Sequence, residues 1–173
     1  MINLTRLLCA LDRIMDRVEA WHRAGQNREV LTVDQPADGP YLWMRQQQRD
    51  PVAAERAMEL MRWNGGGNHG SGVGISNIDT QGNVHPDQFW QSHPLGNVKT
   101  EPFSKIWSRT DDPLLNGLRS GVRPVTGRCT DCRFGGICGG GFRVRAWQRY
   151  GDPWAEDPGC PLTDSEIAAD KAN

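Results

Sequence analysis

Four cysteines towards the end of the chain are the residues whose type and spacing indicate chemistry. They are Cys129, Cys132, Cys138 and Cys160, in the pattern C-x2-C-x5-C-x21-C. Two thiolates separated by two residues can bind one metal centre from a single turn. Several glycines lie among these cysteines, and glycine lets the backbone approach the sulfur atoms closely because it has no Cβ. The spacing therefore predicts that the four cysteines are ligands of one metal site.

The same spacing bears on which metal is bound. Structural zinc sites usually combine two C-x2-C pairs, or one such pair with two histidines. This chain has a single C-x2-C pair, and no histidine follows His93. In an iron–sulfur cubane each cysteine binds a different iron, so single, scattered cysteines are tolerated. The pattern favours one 4Fe-4S cluster, with structural zinc and unligated buried cysteines as the alternatives.

Composition narrows the class of protein. The 173 residues suffice for about one domain, and 20 glycines and 11 prolines predict a fold rich in loops and turns. The net charge of −1 gives no electrostatic reason to expect nucleic acid or membrane as a partner, and no apolar run is long enough to span a bilayer. We expect a cytoplasmic chain, in which thiols stay reduced and metal ligation is a better use of clustered cysteines than disulfides.

Residues 1–63 are interpreted as a helix–strand remnant of a partial α/β barrel and a connecting helix. Apolar residues recur at steps of three and four over residues 3–24, which predicts an amphipathic helix ending at Gly25. The short β-branched run 30–33 predicts a strand. Asp50 as an N-cap and Pro51 behind it predict a helix that continues to about Trp63. One helix–strand pair has no sheet to pack on, so we expect the rest of the sheet upstream or from another chain.

Residues 64–173 are predicted to form a separate, small and loop-rich α+β domain. The glycine tract 64–74 lacks the Lys-Ser/Thr ending of a phosphate-binding loop, so we interpret it as a flexible connection or the approach to a strand. The polar turn 79–83 between β-branched residues predicts a β-hairpin. Short helices are predicted over 103–107, 113–118 and 141–150.

Longer segments resemble a known family. The stretches SNIDTQGNVHPDQFW (76–90), LGNVKTEPFSKIW (95–107) and CTDCRFGGICGGGFRVRA with GDPWAEDPGC (129–160) closely resemble radical S-adenosylmethionine proteins of haem d1 biosynthesis. The cysteine pattern resembles the SPASM or twitch domain at the end of such enzymes. The resemblance implies a SPASM-like domain in which the hairpin and short helices surround one auxiliary 4Fe-4S cluster.

Two departures limit what the resemblance implies. The C-x3-C-x2-C motif that binds the catalytic cluster is absent, since Cys9 is the only cysteine before Cys129. S-adenosylmethionine and a second 4Fe-4S cluster are therefore expected only in a missing N-terminal part, and this chain, as the end of such an enzyme, is not expected to be active alone. Asp87 and Phe142 stand where two-cluster domains have cysteines, which restricts the expectation to one cluster.

The family acts on a tetrapyrrole, didecarboxysirohaem, from which two propionate side chains are removed. The resemblance therefore implies a tetrapyrrole substrate, and Arg143 and Arg145 become candidates for binding its carboxylates. The alternative for these arginines is compensation of the cluster charge, or an exposed helix face. His85 and Asp87 stand at alternate positions of the hairpin and are candidates for lining the substrate pocket or donating a proton; the alternative is a turn-stabilising hydrogen bond.

The partners follow from the same resemblance. An electron donor protein is expected, and the barrel could be a separate chain. The sequence leaves open whether the cluster contacts substrate or only transfers electrons. A different class of function also stays open, namely a stand-alone zinc or iron–sulfur structural module that assembles with a separate barrel protein.

Overall fold

The computed structural model describes residues 3–66, 70–109 and 111–168. Across these residues eight helices and a three-stranded antiparallel sheet of order β1-β2-β3 form a small α+β fold with many loops, as the sequence predicts. The elements are, in order, α1 (Leu4–Arg23), α2 (Asp38–Arg49), α3 (Pro51–Trp63), β1 (Asn77–Ile78), β2 (Asn83–His85), β3 (Gly96–Asn97), α4 (Phe103–Trp107), α5 (Pro113–Arg119), α6 (Gly135–Cys138), α7 (Arg143–Tyr150) and α8 (Asp164–Ile167).

Local capping signals fix the helix bounds. The Asn3 side chain accepts the N–H of Arg6 at the start of α1, and the Asp50 side chain accepts the N–H of Ala53 at the start of α3. These two helices, and α4, α5 and α7, confirm the sequence predictions within two residues at each end. None of the described helices is both long and apolar enough to cross a membrane.

The predicted strand over residues 30–33 is wrong. The segment has no regular secondary structure and pairs with no described strand, and Leu31 and Val33 are 84% and 77% exposed. β-branched residues favour a strand only where a neighbouring strand supplies hydrogen bonds and packing, and none lies beside this segment among the described residues. In contrast, α2 was not predicted from the sequence; its Pro40 lies in the first turn, where proline needs no N–H donor.

The predicted hairpin is confirmed, and it is extended by one strand. Ile78 of β1 pairs with Val84 of β2, and Val84 also pairs with Gly96 of β3, a strand that the sequence did not predict. The Asp79 carboxylate accepts the backbone N–H groups of Gln81 and Asn83 and so closes the turn. Part of the glycine tract that precedes the hairpin, residues 67–69, lies outside the described residues; the rest forms turns.

Three apolar clusters hold the elements together. The cysteine-side core contains Met58, Phe134, Ile137, Leu162 and Ile167, with Cys132, Cys138 and Cys160 packed against it. The hairpin core contains Val84, Leu95, Ile106 and Leu115. The tryptophan core contains Trp90, Leu114, Leu118 and Val144. The cysteine-side core joins α3 to α6 and α8, so the predicted metal ligands lie where α3 packs against the C-terminal part of the chain.

Candidate metal centre and an adjacent pocket

Turns and helix ends, not long elements, carry the four cysteines. Cys129 ends a 3-10 turn that spans Gly127–Cys129, and Cys132 follows in a turn that is bridged to Ala168. Cys138 is the last residue of α6, and the next residue, Gly139, has a left-handed φ of 60° that a residue with a Cβ rarely adopts. Cys160 follows the 151–159 loop, and its N–H donates to the Asp157 carbonyl at 3.0 Å.

All four thiols line one space, here named the cysteine cavity. Its other walls include Phe134, Leu162 and Ile167 of the cysteine-side core and the backbone of Gly140 and Gly141. Burial raises the pKa of the Cys138 thiol to about 12, and the neighbouring Cys160 adds to the rise. Burial also raises the pKa of Cys132 and Cys160. These thiols are therefore protonated at neutral pH in the metal-free fold, and a metal must displace their protons to bind.

The four thiols line one cavity, but the described side chains do not surround a common point. Among the described residues, no three Cys, His, Asp or Glu side chains are grouped closely enough to hold one metal ion. A cubane does not need that grouping, because each thiolate binds its own iron. The cysteine cavity measures only about 20 Å³, the space of about one water-sized sphere, so cluster binding requires the cysteine side chains to move apart. The turns and glycines that carry them permit that movement more readily than long helices would.

Two buried arginines lie beside the cysteine cavity. Arg143, the first residue of α7, is 2% exposed, and its Nη1 donates to the carbonyls of Pro153 and Ala155 at 3.0 and 2.6 Å. Its Nη2 is buried without a hydrogen-bond partner among the described residues. Arg123 is 8% exposed, and its Nη1 donates to the Gly139 carbonyl. Burial, reinforced by the charge of Arg143, lowers the pKa of Arg123 to about 10.

Both arginines line a second cavity of about 210 Å³, here named the arginine pocket. Asp87 also lines it, and both of its carboxylate oxygens accept hydrogen bonds, one from the N–H of Phe89 at 2.7 Å and one from the Ser71 hydroxyl. Gly141 lines both the arginine pocket and the cysteine cavity. The two spaces are therefore neighbours that share a stretch of glycine backbone as a wall.

Of the four predicted substrate-binding residues, the structure brings Asp87 and Arg143 together in this pocket and holds the other two elsewhere. His85 is buried under the hairpin, with Nδ1 2.9 Å from the Trp90 carbonyl and Nε2 3.1 Å from Asp79. These contacts match the turn-stabilising alternative. Arg145 forms two hydrogen bonds to the buried Asp157 carboxylate, at 2.9 and 2.7 Å, and so ties α7 to the loop before Cys160.

The remaining arginines near the cysteines have different surroundings. Arg128 lines the cysteine cavity and donates to the Leu162 carbonyl. The guanidinium of Arg133 instead lies over the rings of Trp43 and Phe134, at 5.5 and 4.7 Å from their centroids. Both charges lower the pKa of the Cys132 thiol, against the larger effect of burial, and Arg128 is the one of the two that lines the cysteine cavity.

Sequence reasoning missed three residues of the arginine pocket: Arg123, Ser71 and Phe89. Arg123 stands in the stretch Gly-Val-Arg-Pro-Val, which has no periodicity that predicts burial. Ser71 is part of the glycine tract that was interpreted as a connection or the approach to a strand. Phe89 stands two residues after the candidate Asp87, and this proximity was the available signal.

Comparison with known proteins gives relatives over most of the chain. It is 42% identical over 161 residues to the Fe-coproporphyrin III synthase of Methanosarcina barkeri and 43% identical over 160 residues to the pre-heme d1 synthase of Dinoroseobacter shibae, in each case covering 91% of this chain. It is 34% identical over 89 residues to the AdoMet-dependent heme synthase of Nitratidesulfovibrio vulgaris. The chain spans about 40% of the length of the first two relatives. No protein-family model and no solved structure matches it.

Proposed function

We propose that this chain, which belongs to the same family as pre-heme d1 synthase and Fe-coproporphyrin III synthase, holds an auxiliary 4Fe-4S cluster in a radical S-adenosylmethionine enzyme of haem d1 biosynthesis. Cys129, Cys132, Cys138 and Cys160 are the proposed ligands. The observation that carries the proposal is that these four cysteines, of which Cys160 is well separated in sequence from the other three, line one cavity. A bound cluster supplies one-electron chemistry at this position.

The protein around the cavity is suited to a negatively charged group. Four thiolates and a cubane carry net negative charge, which needs nearby cations or N–H groups when water is excluded. Arg143 and Arg123 supply buried positive charge, and Arg128 lines the cavity directly. The apolar side chains of the cysteine-side core keep the site dry, which strengthens each of these interactions.

We also assign the segments of this chain to parts of the whole enzyme. Residues 1–63 are assigned to the end of the barrel and a connecting helix, and residues 64–173 to the SPASM-like domain. S-adenosylmethionine and the second 4Fe-4S cluster are assigned to residues outside this chain, because Cys9 is exposed and stands alone before Cys129. The proposed substrate is a tetrapyrrole that loses propionate side chains, the proposed location of the chain is the cytoplasm, and a separate protein is the proposed electron donor.

Metal analysis tests the cluster. The chain is purified without oxygen, and iron, acid-labile sulfide and zinc are measured per chain. We expect about four irons and four sulfides. Stoichiometric zinc without sulfide would overturn the cubane and favour a structural zinc module.

A pair of cysteine variants tests the ligands. Cys132→Ala removes a thiol from the cavity and should lose the iron and sulfide. Cys9→Ser is the matched control, since Cys9 is exposed on α1 far from the other cysteines in sequence, and it should keep both. Full iron content in the Cys132 variant would show that the ligand assignment is wrong.

A further inference from the structure

We infer that the arginine pocket binds one carboxylate-ended arm of the tetrapyrrole, while the macrocycle lies outside against Phe89 and Phe142. The inference rests on the proposed function and adds to it the place and manner in which the ligand is held.

The charge of the pocket favours an anion. Its buried charged side chains are two guanidinium groups, on Arg123 and Arg143, and one carboxylate, on Asp87. Both oxygens of Asp87 already accept hydrogen bonds, from Ser71 and Phe89, and Asp34, the other acidic residue of the described lining, is exposed to solvent. Among the described residues of the buried lining, two guanidinium groups thus stand against one carboxylate, and Asp157 behind the wall, which also attracts Arg143, is already paired with Arg145. This lining favours an anionic ligand over a cationic one.

The hydrogen-bond donors of Arg143 also favour a bound carboxylate. Arg143 uses Nη1 for two carbonyls of the 151–159 loop, which leaves Nη2 without a partner among the described residues. The Nε of Arg143 also donates to the Gly141 carbonyl, at 3.5 Å. A guanidinium held by these hydrogen bonds is pre-organised to bind a carboxylate oxygen with Nη2. Arg143 is also the first residue of α7, whose N-terminus has no side-chain cap, so the positive end of the helix dipole adds to the attraction.

Size decides how much of the ligand enters. At about 210 Å³ the pocket is smaller than the roughly 300–1,000 Å³ of cavities that enclose a drug-sized molecule. It has room for a short aliphatic arm with a carboxylate but not for a macrocycle. Phe89 and Phe142 line the pocket with their rings edge to face, the centroids 5.1 Å apart, and Phe89 is 38% exposed. An exposed aromatic face at the opening suits a planar ring that remains outside.

The position of the pocket links the arm to the metal centre. Gly141 lines both spaces, so a carboxylate arm in the arginine pocket lies across a single stretch of backbone from the cysteine cavity. A side chain at Gly141 would occupy this wall, since a Cβ there would come within 2.8 Å of the Asp157 Cβ. The same arginines thus face an anionic arm on one side and the proposed cluster on the other.

Charge compensation of the cluster alone is the competing account of the two arginines. Gln88 separates the accounts, because it is exposed and lines the arginine pocket but not the cysteine cavity. A charge placed there acts on a ligand entering the pocket and leaves the metal ligands untouched. Gln48, exposed on α2 and absent from both linings, provides a matched control.

The experiment measures binding of coproporphyrin III, a porphyrin with propionate arms, to the anaerobically prepared chain by quenching of tryptophan fluorescence. Its neutral tetraamide is the matched ligand without carboxylates. Gln88→Glu should weaken coproporphyrin III binding by about threefold, and Gln88→Lys should tighten it by about the same factor, as expected for one unit charge acting through a partly solvated path. Gln48→Glu should change neither affinity, and the tetraamide should respond to none of the three variants.

Arg143→Lys gives a second test, since it keeps the charge but loses the planar fork. It should weaken binding of coproporphyrin III more than binding of the tetraamide, with thermal melting used to show that the variant is folded. If Arg143→Lys does not fold, the two Gln88 variants still test whether the arginine pocket binds a carboxylate.

The failures are distinguishable. If Gln88→Glu and Gln88→Lys leave the affinity for coproporphyrin III unchanged, this inference is overturned and the proposed function stands. A chain that holds four irons and four sulfides but binds no porphyrin would overturn the inference together with the tetrapyrrole part of the proposed function. A chain without iron that still binds in a Gln88-dependent manner would support the pocket and overturn the cluster.

Discussion

Gly141 is the residue at which the two cavities meet, and its backbone conformation strongly disfavours any residue with a Cβ. Its φ is +82°, in the left-handed region, and an added Cβ would overlap the side chain of Asp157. Asp157 has little freedom to move, because its carboxylate accepts hydrogen bonds from the N–H of Phe142 at 2.7 Å and of Gly159 at 2.8 Å. The wall between the cavities is therefore thin because the sequence puts a glycine there.

We predict that Gly141→Ala destabilises the fold by about 2 kcal/mol or more, from the combined backbone strain and steric overlap. Gly135→Ala is the control. Gly135 is in α6, its φ is not positive, and a Cβ there meets no atom within 4 Å, so its replacement should leave stability unchanged or slightly raised. Urea unfolding of both variants measures the difference. Equal stabilities would show that the wall tolerates a side chain.

Arg145 has the chemistry expected of a carboxylate-binding residue, but in this fold it binds a carboxylate of the protein itself. Arg145 forms a bidentate ion pair with Asp157, whose side chain is 1% exposed. The Nη2 of Arg145 also donates to Gln35 at 2.6 Å. Removing the guanidinium leaves a buried carboxylate short of donors, which is costly. We predict that Arg145→Gln lowers the free energy of unfolding by about 3 kcal/mol while the affinity for coproporphyrin III stays within twofold.

Arg149→Gln on the same helix serves as the control for this prediction, since Arg149 is exposed and forms no ion pair with a described residue. Its stability should stay within about 0.5 kcal/mol of the unaltered chain. Loss of porphyrin affinity in a stable Arg145 variant would instead return Arg145 to the substrate-binding set.

Among the elements, the β-hairpin depends on one carboxylate. Asp79 accepts hydrogen bonds from the Asn83 side chain and from backbone N–H groups of the turn, and it faces the buried His85. The Asn83 side chain, assisted by His85, holds the pKa of Asp79 well below its usual value of 3.8 despite partial desolvation. Because the folded pKa is depressed, the stabilisation is present above about pH 4 and is lost as the pH falls through the folded pKa.

We predict that Asp79→Asn lowers stability at pH 7 and that the difference from the unaltered chain shrinks as the pH falls from about 4 towards 2. The reason is that the unaltered chain loses the charged acceptor by protonation, whereas the variant never has it. Asp111→Asn, at an exposed position outside the hairpin, is the control. Thermal melting at a series of pH values measures the effect. A difference that is independent of pH would show that the carboxylate charge does not support the turn.

The elements also show how far the sequence predicts the fold. Signals confined to a few residues were sufficient for α3, with its Asp50 cap, and for the hairpin turn at Asp79. The strand at 30–33 could not be judged from its own residues, since a strand is stable only beside a partner. Asp87 and Arg143 were predicted separately as substrate-binding candidates, but their meeting with Arg123 in one pocket could not be predicted, because the three residues come from segments that only the tertiary fold brings together. The four cysteines were predicted as a group because their spacing carries the information locally.

For the whole molecule, the separation of the apolar clusters determines what a metal can stabilise. The cysteine-side core joins α3, α6 and α8 and contains three of the cysteines, whereas the hairpin core contains none. The cysteine-side core is also assembled from short helices, with α6 and α8 only four residues each. Short helices are marginal by themselves, so ligation across them adds stability where it is most needed.

We therefore predict that removing iron, with a chelator and a mild oxidant, lowers the melting temperature and accelerates amide hydrogen exchange unevenly. Exchange should rise over residues 127–141 and 157–167, which carry the cysteines and the core against them, and change little over the hairpin core at Val84 and Ile106. The reason is that the binding free energy of the metal is folding free energy only for the segments that its ligands connect. The Cys9→Ser variant, loaded and stripped in the same way, should give the same pattern as the unaltered chain. Uniform acceleration across both cores would mean that the molecule opens as one unit, and no acceleration would mean that the cysteines do not hold the metal.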